Sequence, residues 1–383
     1  MTDGPRRWLI LRNGGIGDTV QLTPVARELK KRGYLVDFAL GCPHSDLVPL
    51  YDNLGVFDRI IPVRRFMNVD FYENEEGDWE SVECLKEKYY PYVTDFKWLI
   101  ENNSLYRHLA PKYDHVPWIT SQNSNYVNWI DLALAWANID PEEVEDKRPM
   151  YRVEESEREW ARAQLGQHKL LIGIQTYASS LVRTWYHPER LPKALMQVYP
   201  DASFAIYNGH SWELVHQNWV KLIELPKHKI RHSMALVDQM DLFICADSGI
   251  SHLAEGAGVR HLTIYTTIPP YTRNKYYLYE FAIRPSVSCS PCFTLDGTCP
   301  LNRKRALESL SDRERKILEL SEQQTNIHEA SLQMDTTPEA LIEERNAILQ
   351  KIEGMSKIMP DCVQSIDTEL IIQKVKEILD PSR

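Results

Sequence analysis

No run of about 18 apolar residues, the length a helix needs to cross a bilayer, occurs among the 383 residues of this chain. A membrane-spanning helix is therefore not expected. The opening stretch "MTDGPRRWLILRNGG" lacks the apolar segment and small-residue cleavage site of a secretory signal, so the expected location is cytoplasmic. Positive charge is scarce beside negative. The 44 Lys and Arg face 54 Asp and Glu, a formal net charge of -10, which argues against a protein held mainly by nucleic-acid phosphates or an anionic membrane surface. Two cofactor signatures are missing as well. The turn "GGIGDT" does not have the G-x-G-x-x-G spacing of a dinucleotide site, and no Asp-x-Asp pair stands out as a divalent-ion site.

Apolar residues make up 43% of the chain, enough for two domains with sizeable cores. Residues 8 to 63 read as strand, helix, strand and turn, with "YLVDFALG" and "FDRIIPV" as the second and third strands. From Arg65 to Asn128 this pattern gives way to a segment crowded with Trp79, Tyr89, Tyr90, Tyr92, Trp98, Tyr106 and Trp118, closely followed by Trp129. These rings suit an aromatic core or stacking on sugars and bases. "NYVNWIDLALAWANI" reads as a helix, and the polar, proline-punctuated "DPEEVEDKRPMYRVEESERE" reads as a linker, which puts a domain boundary near Pro149. A second α/β unit begins at "KLLIGIQTY" and continues through "ASFAIYNG", "MDLFICADSG" and "VRHLTIYTT". The expected fold is α/β with two Rossmann-like halves facing across a cleft: 1–149, then 150–302 together with 359–383.

Residues 303–358 are charged and helix-favouring. A capping-box pattern occurs at Ser311 and Glu314, and Thr337–Pro338 offers a cap followed by a first-turn proline. The segment is expected to form an inserted helical hairpin. One arm would present Leu310, Ile317, Leu318 and Leu320 to Leu341, Ile342, Ile348, Leu349 and Ile352 on the other, an apolar repeat near about 3.5 residues. Such an arm is marginal alone, so it is expected to pack on its own body or on another subunit of a homo-oligomer.

The chemistry-bearing residues cluster where strands end. In "LILRNGGIGDTVQLTPVARELKKRG", an apolar run stops at Gly14, Gly15 and Gly17, and a helix opens at Asp18. Helix N-termini bind anions through unpaired amides and the helix dipole, so a carboxylate there is either a helix cap or a group with a different task. "QTYASSLVRTW" holds Thr176, Ser179 and Arg183. "ADSGISHLAEGAG" holds Asp247, Ser248, Gly249 and His252 where a strand meets a helix. Asp247 could cap that helix, and His252 could be a satisfied helix histidine. Seven cysteines occur. Cys42, Cys84 and Cys245 are scattered, whereas Cys289, Cys292 and Cys299 form C-x2-C-x6-C, with Cys362 further on. In a reducing compartment this group suits zinc or iron before a disulfide, with buried reduced thiols or a partial disulfide as the alternative.

Taken in order, "GGIGDTVQLTP", "QTYASSLVRTW", "ADSGISHLAEGAG" and "CSPCFTLDGTCP" with "MPDCVQSI" resemble glycosyltransferase family nine, the ADP-heptose heptosyltransferases of GT-B fold. The resemblance covers roughly residues 8 to 300 and 359 to 380, and is weakest between 65 and 130. It implies an inverting transfer from a nucleotide-diphosphate sugar, plausibly ADP-heptose, without a catalytic metal. In that reading Asp18 is the general base on the acceptor hydroxyl. Gly14, Gly15 and Gly17 let the backbone approach the reacting sugar. Arg183 meets the donor diphosphate, with Thr176 and Ser179 in support, while Ser248 and Gly249 offer amides to the diphosphate and Asp247 and His252 bind donor hydroxyls or phosphate. The resemblance extends to autotransporter heptosyltransferases that bind iron through four cysteines, which implies a structural centre on Cys289, Cys292, Cys299 and Cys362. The implied acceptor is a glycan or protein, such as lipopolysaccharide core or a surface protein, and the acidic charge disfavours a DNA base. The competing readings are a catalytically silent sugar-nucleotide-binding or assembly protein and, more remotely, a Rossmann oxidoreductase.

Overall fold

A computed structural model describes residues 6–41, 45–66, 69–96, 127–185, 190–216, 219–225, 229–293, 299–323, 326–356 and 359–380. Strand β1 (Arg7–Arg12) shows why the apolar runs become strands. Ile10 joins one core with Val36, Phe38 and Leu40 of β2 (Leu35–Gly41), while Leu9 and Leu11 join another with Ala39. Alternate residues leave opposite faces of a strand, and both faces are covered here, so the run is apolar throughout. β3 (Arg59–Phe66), β4 (Val69–Glu73), β5 (Trp79–Ser81) and β6 (Val93–Asp95) complete a sheet of order β5-β4-β3-β2-β1-β6. β6, β1, β2 and β3 run parallel, and β4 and β5 add an antiparallel edge.

The second sheet repeats the plan. β7 (Leu170–Gln175), β8 (Ala202–Tyr207), β9 (Trp212–His216), β10 (Trp219–Ile223), β11 (Leu242–Ala246), β12 (His261–Ile264) and β13 (Glu280–Ile283) are ordered β10-β9-β8-β7-β11-β12-β13. β8, β7, β11, β12 and β13 are parallel, with β9 and β10 as the antiparallel edge. In the first sheet the strand order reverses at β1, and in the second it reverses between β7 and β11. Ligands of open α/β sheets bind in the crevice beyond the carboxyl ends of such strands. The segments that follow β1, β7 and β11 carry Asp18, in helix Ile16–Val20, then Arg183 and Ser248.

A single apolar cluster ties the two sheets together, running from Ile10 and Phe38 through Trp129 and Ile130 to Trp212 and Phe243. Arg231, 7% exposed, reinforces it by donating from Nη1 to the Pro49 carbonyl at 2.7 Å while its Nε pairs with Glu157. Of the aromatic segment, Trp129 is buried and Tyr92 packs on Trp8 and Tyr34, whereas Trp79 and Tyr90 are exposed. Tyr89 donates to Asp37. Trp98, Tyr106 and Trp118 lie outside the described residues.

The C-terminal helices differ from the expected two-arm hairpin. Helices Pro300–Glu308, Asp312–Glu322 and Ile327–Gln333 all pack on the long helix Pro338–Ser356. Their shared core holds Leu310, Ile317, Leu320, Ala330, Met334, Leu341 and Ile348. Ile342 and Leu349, expected in the seam, are exposed, because a long helix contacting three neighbours buries a different stripe from one facing a single partner. The Ser311–Glu314 capping box is formed, and Thr337 Oγ1 accepts from the Ala340 amide at 3.2 Å. The chain then returns to the second sheet. Helix Thr368–Leu379 buries Ile371, Ile372, Val375 and Ile378 there, and Trp185 Nε1 donates to the Ile366 carbonyl at 2.8 Å.

Candidate functional site

Between the sheets lies a cleft of about 680 Å³ lined from both halves of the chain, by Gly15, Ile16, Gly17 and Asp18 on one side and by Ser179, Arg183, Asp247, Ser248, Gly249 and His252 on the other. Two helix starts meet at its floor, Ile16–Val20 after β1 and Gly249–Ala257 after β11. Glycine is required at the crossing. A Cβ on Gly17 would lie 2.3 Å from His252 Cδ2, and one on Gly249 would lie 2.7 Å from Ile16 Cβ. These two glycines set how closely the halves approach. Gly15 faces the cleft, but Gly14 does not line it; a Cβ there would strike the Arg12 guanidinium at 2.5 Å.

Asp18 is not the cap of its helix, which is Gly15; it stands at the third helical position of Ile16–Val20 and lines the cleft. The Gly15 amide donates to its Oδ2 at 3.0 Å, the return half of a capping box, and Arg12 Nη2 donates to the same oxygen at 3.1 Å. Among the described residues no hydrogen bond ends on Oδ1. The side chain is 23% exposed and lines the cleft. Burial by itself would raise its pKa, but the positive charges of Arg12 and Arg273, with the bonds from Arg12 and Gly15, outweigh that and hold the carboxyl below its ordinary value. It is ionised at neutral pH.

Arg183 stands at the opposite wall. Its Nη2 donates to Ser179 Oγ at 2.5 Å and its Nη1 to the Asp247 carbonyl at 3.3 Å, with the Asp247 carboxylate 3.9 Å away. The N-cap of helix Gly249–Ala257 is Ser248, not Asp247, and the Ser248 side chain makes no capping bond. Its buried Oγ has no partner among the described residues, and neither has Gln175 Oε1. Both residues line the cleft. A buried polar atom without a partner costs about 1–3 kcal/mol, and these two lie beside the first-turn amides of a nine-residue helix. Thr176 is elsewhere. It is fully buried, its Oγ1 donates to the Trp185 carbonyl at 2.7 Å, and it does not line the cleft.

His252 is 4% exposed and neutral, because burial lowers its pKa more than the Asp247 charge raises it. Gln21 Nε2 donates to Tyr277 Oη at 3.0 Å, and the Tyr277 hydroxyl lies 2.7 Å from His252 Nδ1. The tyrosine hydroxyl can give its proton to Nδ1, and in that tautomer the imidazole carries its own proton on Nε2. His252 is thus both a satisfied helix histidine and part of the cleft lining.

Several lining residues carried no local motif. Arg273 belongs to helix Tyr271–Asn274, and Tyr207, Gly209, Trp212, Ile230 and Ser233 also line the cleft, while Gln175 and Tyr177 come from the "QTYASSLVRTW" stretch without having been singled out there. The available signal was the turn "YNGHSW", in which Gly209 adopts a φ of 99° and Asn208 closes a hairpin through its amide to the Ser211 carbonyl at 3.1 Å.

The cysteine group departs from the expected metal centre. No disulfide joins Cys289, Cys292, Cys299 and Cys362, and the Cys362 thiol is pushed up to about 12 by burial first and then by Cys292, Cys289 and Cys299. The thiols are therefore neighbours. Yet among the described residues no group of three or more His, Cys, Asp or Glu side chains is arranged to hold a metal ion. The residues between Cys292 and Cys299 include 294–298, outside the described residues. The thiols as they stand do not fit a tetrahedral ion. Cys42 lies outside the described residues.

The family model of glycosyltransferase family 9 (heptosyltransferase) matches residues 129–300. No curated protein matches by sequence. Among solved structures, the glycosyl transferase family 9 protein of Veillonella parvula is similar at 14% identity, covering 92% of this chain and 99% of that one with a TM-score of 0.50. ADP-heptose lps heptosyltransferase II of E. coli is similar at 14% identity, with 91% of this chain and 99% of that one covered and a TM-score of 0.48. The iron-containing dodecameric glycosyltransferase TibC of enterotoxigenic E. coli follows at 12% identity, 91% and 77% coverage and 0.48. Among the described residues no helix is long and apolar enough to cross a membrane.

Proposed function

We propose that this chain, which shares the two-sheet fold of family 9 glycosyltransferases and resembles that family over residues 129–300, moves a sugar from a nucleoside-diphosphate sugar to an acceptor hydroxyl with inversion. The observation that carries this reading is a cleft in which Asp18, ionised and with Oδ1 unengaged among the described residues, faces Arg183 and the helix start at Ser248–Gly249. Residues 1–149 would present the acceptor. Residues 150–302 and 359–383 would hold the donor, with 303–358 as a helical insertion.

In the reaction, Asp18 Oδ1 takes the proton of the acceptor hydroxyl as its oxygen attacks the anomeric carbon, and the bond from that carbon to the diphosphate oxygen breaks on the opposite face. A positioned base contributes about 10²–10⁴-fold to such a step. The departing charge goes to Arg183 and to the positive end of helix Gly249–Ala257, where the amides of the first turn and the Ser248 hydroxyl donate to phosphate oxygens. Ser179 and Asp247 orient the guanidinium through the bonds already made. His252 Nε2–H adds a neutral donor. Thr176 shapes the loop that carries Arg183, since its bond to Trp185 spans that loop. The heptosyltransferase description of the family supports a heptosyl group in the donor; ADP as its nucleotide and lipopolysaccharide core or a surface protein as acceptor belong to the same proposal.

A thermal-shift screen of ADP-, GDP-, UDP- and dTDP-sugars tests it. A ligand at 100 times its Kd stabilises by about 2.7 kcal/mol, so the cognate donor is expected to raise the Tm measurably. Absence of a shift with every nucleotide would refute the reading.

A further inference from the structure

Arg273 carries an observation that the proposed mechanism does not use. It lines the cleft from helix Tyr271–Asn274, and among the described residues no hydrogen bond or ion pair engages its guanidinium. That is unusual for a partly buried arginine in this molecule. Arg12, Arg183 and Arg231 each have a carboxylate within 4.0 Å. Its backbone, by contrast, is fixed from the other half of the chain. Gln21 Nε2 donates to the Arg273 carbonyl at 3.2 Å as well as to Tyr277 Oη, and the Asn274 side chain is anchored on Glu280 at 2.7 Å. The residue is therefore a positioned but uncommitted cation at the seam between the two halves.

Arg183 cannot neutralise a diphosphate alone. Asp247 lies 3.9 Å from its Nη1 and already offsets part of its charge. A diphosphate brings two phosphate groups, and the loss of a sugar concentrates further charge on the one that leaves. On the functional reading above, on which this inference rests, we propose that Arg273 is the second cation of the donor site and binds the phosphate group next to the sugar, on the side of the cleft that faces Asp18. Arg183 and the start of helix Gly249–Ala257 then serve the remainder of the diphosphate. The same cation contributes to keeping Asp18 ionised and His252 neutral, so one residue would couple leaving-group charge to the state of the base.

The test uses the full chain with ADP and AMP as probes, followed by calorimetry, with GDP/GMP, UDP/UMP and dTDP/dTMP run if the wild type does not bind ADP. Arg273→Ala is expected to weaken the diphosphate by about tenfold or more, the loss of one charge-assisted contact, and to weaken the monophosphate much less. The ratio of the two Kd values should fall toward one. Misfolding would weaken both probes alike and leave that ratio in place, and Arg273→Gln, which keeps most of the side chain's bulk, must reproduce the loss. Diphosphate affinity in both variants within twofold of wild type, or an unchanged ratio, would overturn the role of Arg273 alone. A wild-type protein that binds none of the four diphosphates would overturn the functional reading and this inference together.

Discussion

Replacing Asp18 with Asn separates a capping-box partner from a catalytic base. An asparagine oxygen can still accept from the Gly15 amide and from Arg12, the two bonds that end on Oδ2. Arg12 itself is fully buried and donates from Nη1 to the Phe96 carbonyl at 2.5 Å, so it retains a partner when the charge opposite it is lost. Breaking a fully buried ion pair costs about 3–5 kcal/mol. Asp18 is 23% exposed, which lowers the cost, and the folded variant is expected to survive. Chemistry is another matter. Loss of a base worth about 10²–10⁴-fold raises the barrier by about 2.7–5.4 kcal/mol, while the donor-side groups remain untouched. The assay is single-turnover transfer with the nucleotide-sugar identified by the thermal screen, alongside donor Kd by calorimetry. Turnover should fall at least about a hundredfold with Kd held within a few fold. Because its pKa is held below the ordinary carboxylate value, Asp18 is the active, deprotonated form across neutral pH. Rate should be lost to its protonation only as pH falls through that lowered value. A variant that keeps more than about a tenth of wild-type turnover would reduce Asp18 to a capping-box partner.

Three further outcomes follow from the same geometry. Arg183→Ala should weaken ADP binding by about tenfold or more without changing the fold by circular dichroism; unchanged affinity would remove Arg183 from the donor site. Gly17→Ala places a methyl 2.3 Å from His252 Cδ2 and should cost about 1–3 kcal/mol in stability together with a fall in turnover, read by denaturant unfolding and the transfer assay; a neutral result would mean that the two helices separate freely. His252 has a folded pKa lowered by burial, so its contribution to stability is fully present above the unfolded value of about 6.5 and is lost as pH falls below it toward the folded value. Unfolding between pH 7 and 5 should therefore depend more steeply on pH in wild type than in His252→Gln, and equal slopes would show that His252 titrates as freely folded as unfolded.

How much of this could be read from the chain depends on how local each cause is. β1 and β7 were legible because sheets covered on both faces leave apolar runs, as was β2 although a buried Asp37, bonded by Arg7 and Tyr89, interrupts it, and the strand-to-helix turns at Gly15–Asp18 and Asp247–Gly249 announce themselves by composition. The antiparallel edges were not. β4, β5, β9 and β10 are short and partly exposed, so their alternation is weak. The capping box at Ser311 and the Thr337–Pro338 start were visible as residue types, but the breaks that turn one expected arm into three helices depend on packing against Pro338–Ser356. Within the cleft, the loss of Thr176 to an internal bond, the unpartnered Ser248 Oγ and the free guanidinium of Arg273 arise from contacts between distant segments. No window of sequence contains them. The four cysteines illustrate the same limit, since spacing brought the thiols to one region without fixing ligand geometry.

The most direct measurement follows the anomeric proton by NMR while the wild-type protein turns over its nucleotide-sugar, with the acceptor or with water as a slow substitute. The account predicts release of the nucleoside diphosphate and a first-formed product of inverted anomeric configuration, with the signal abolished in Asp18→Asn. A first-formed product that retains the donor's configuration would contradict a single displacement assisted by Asp18.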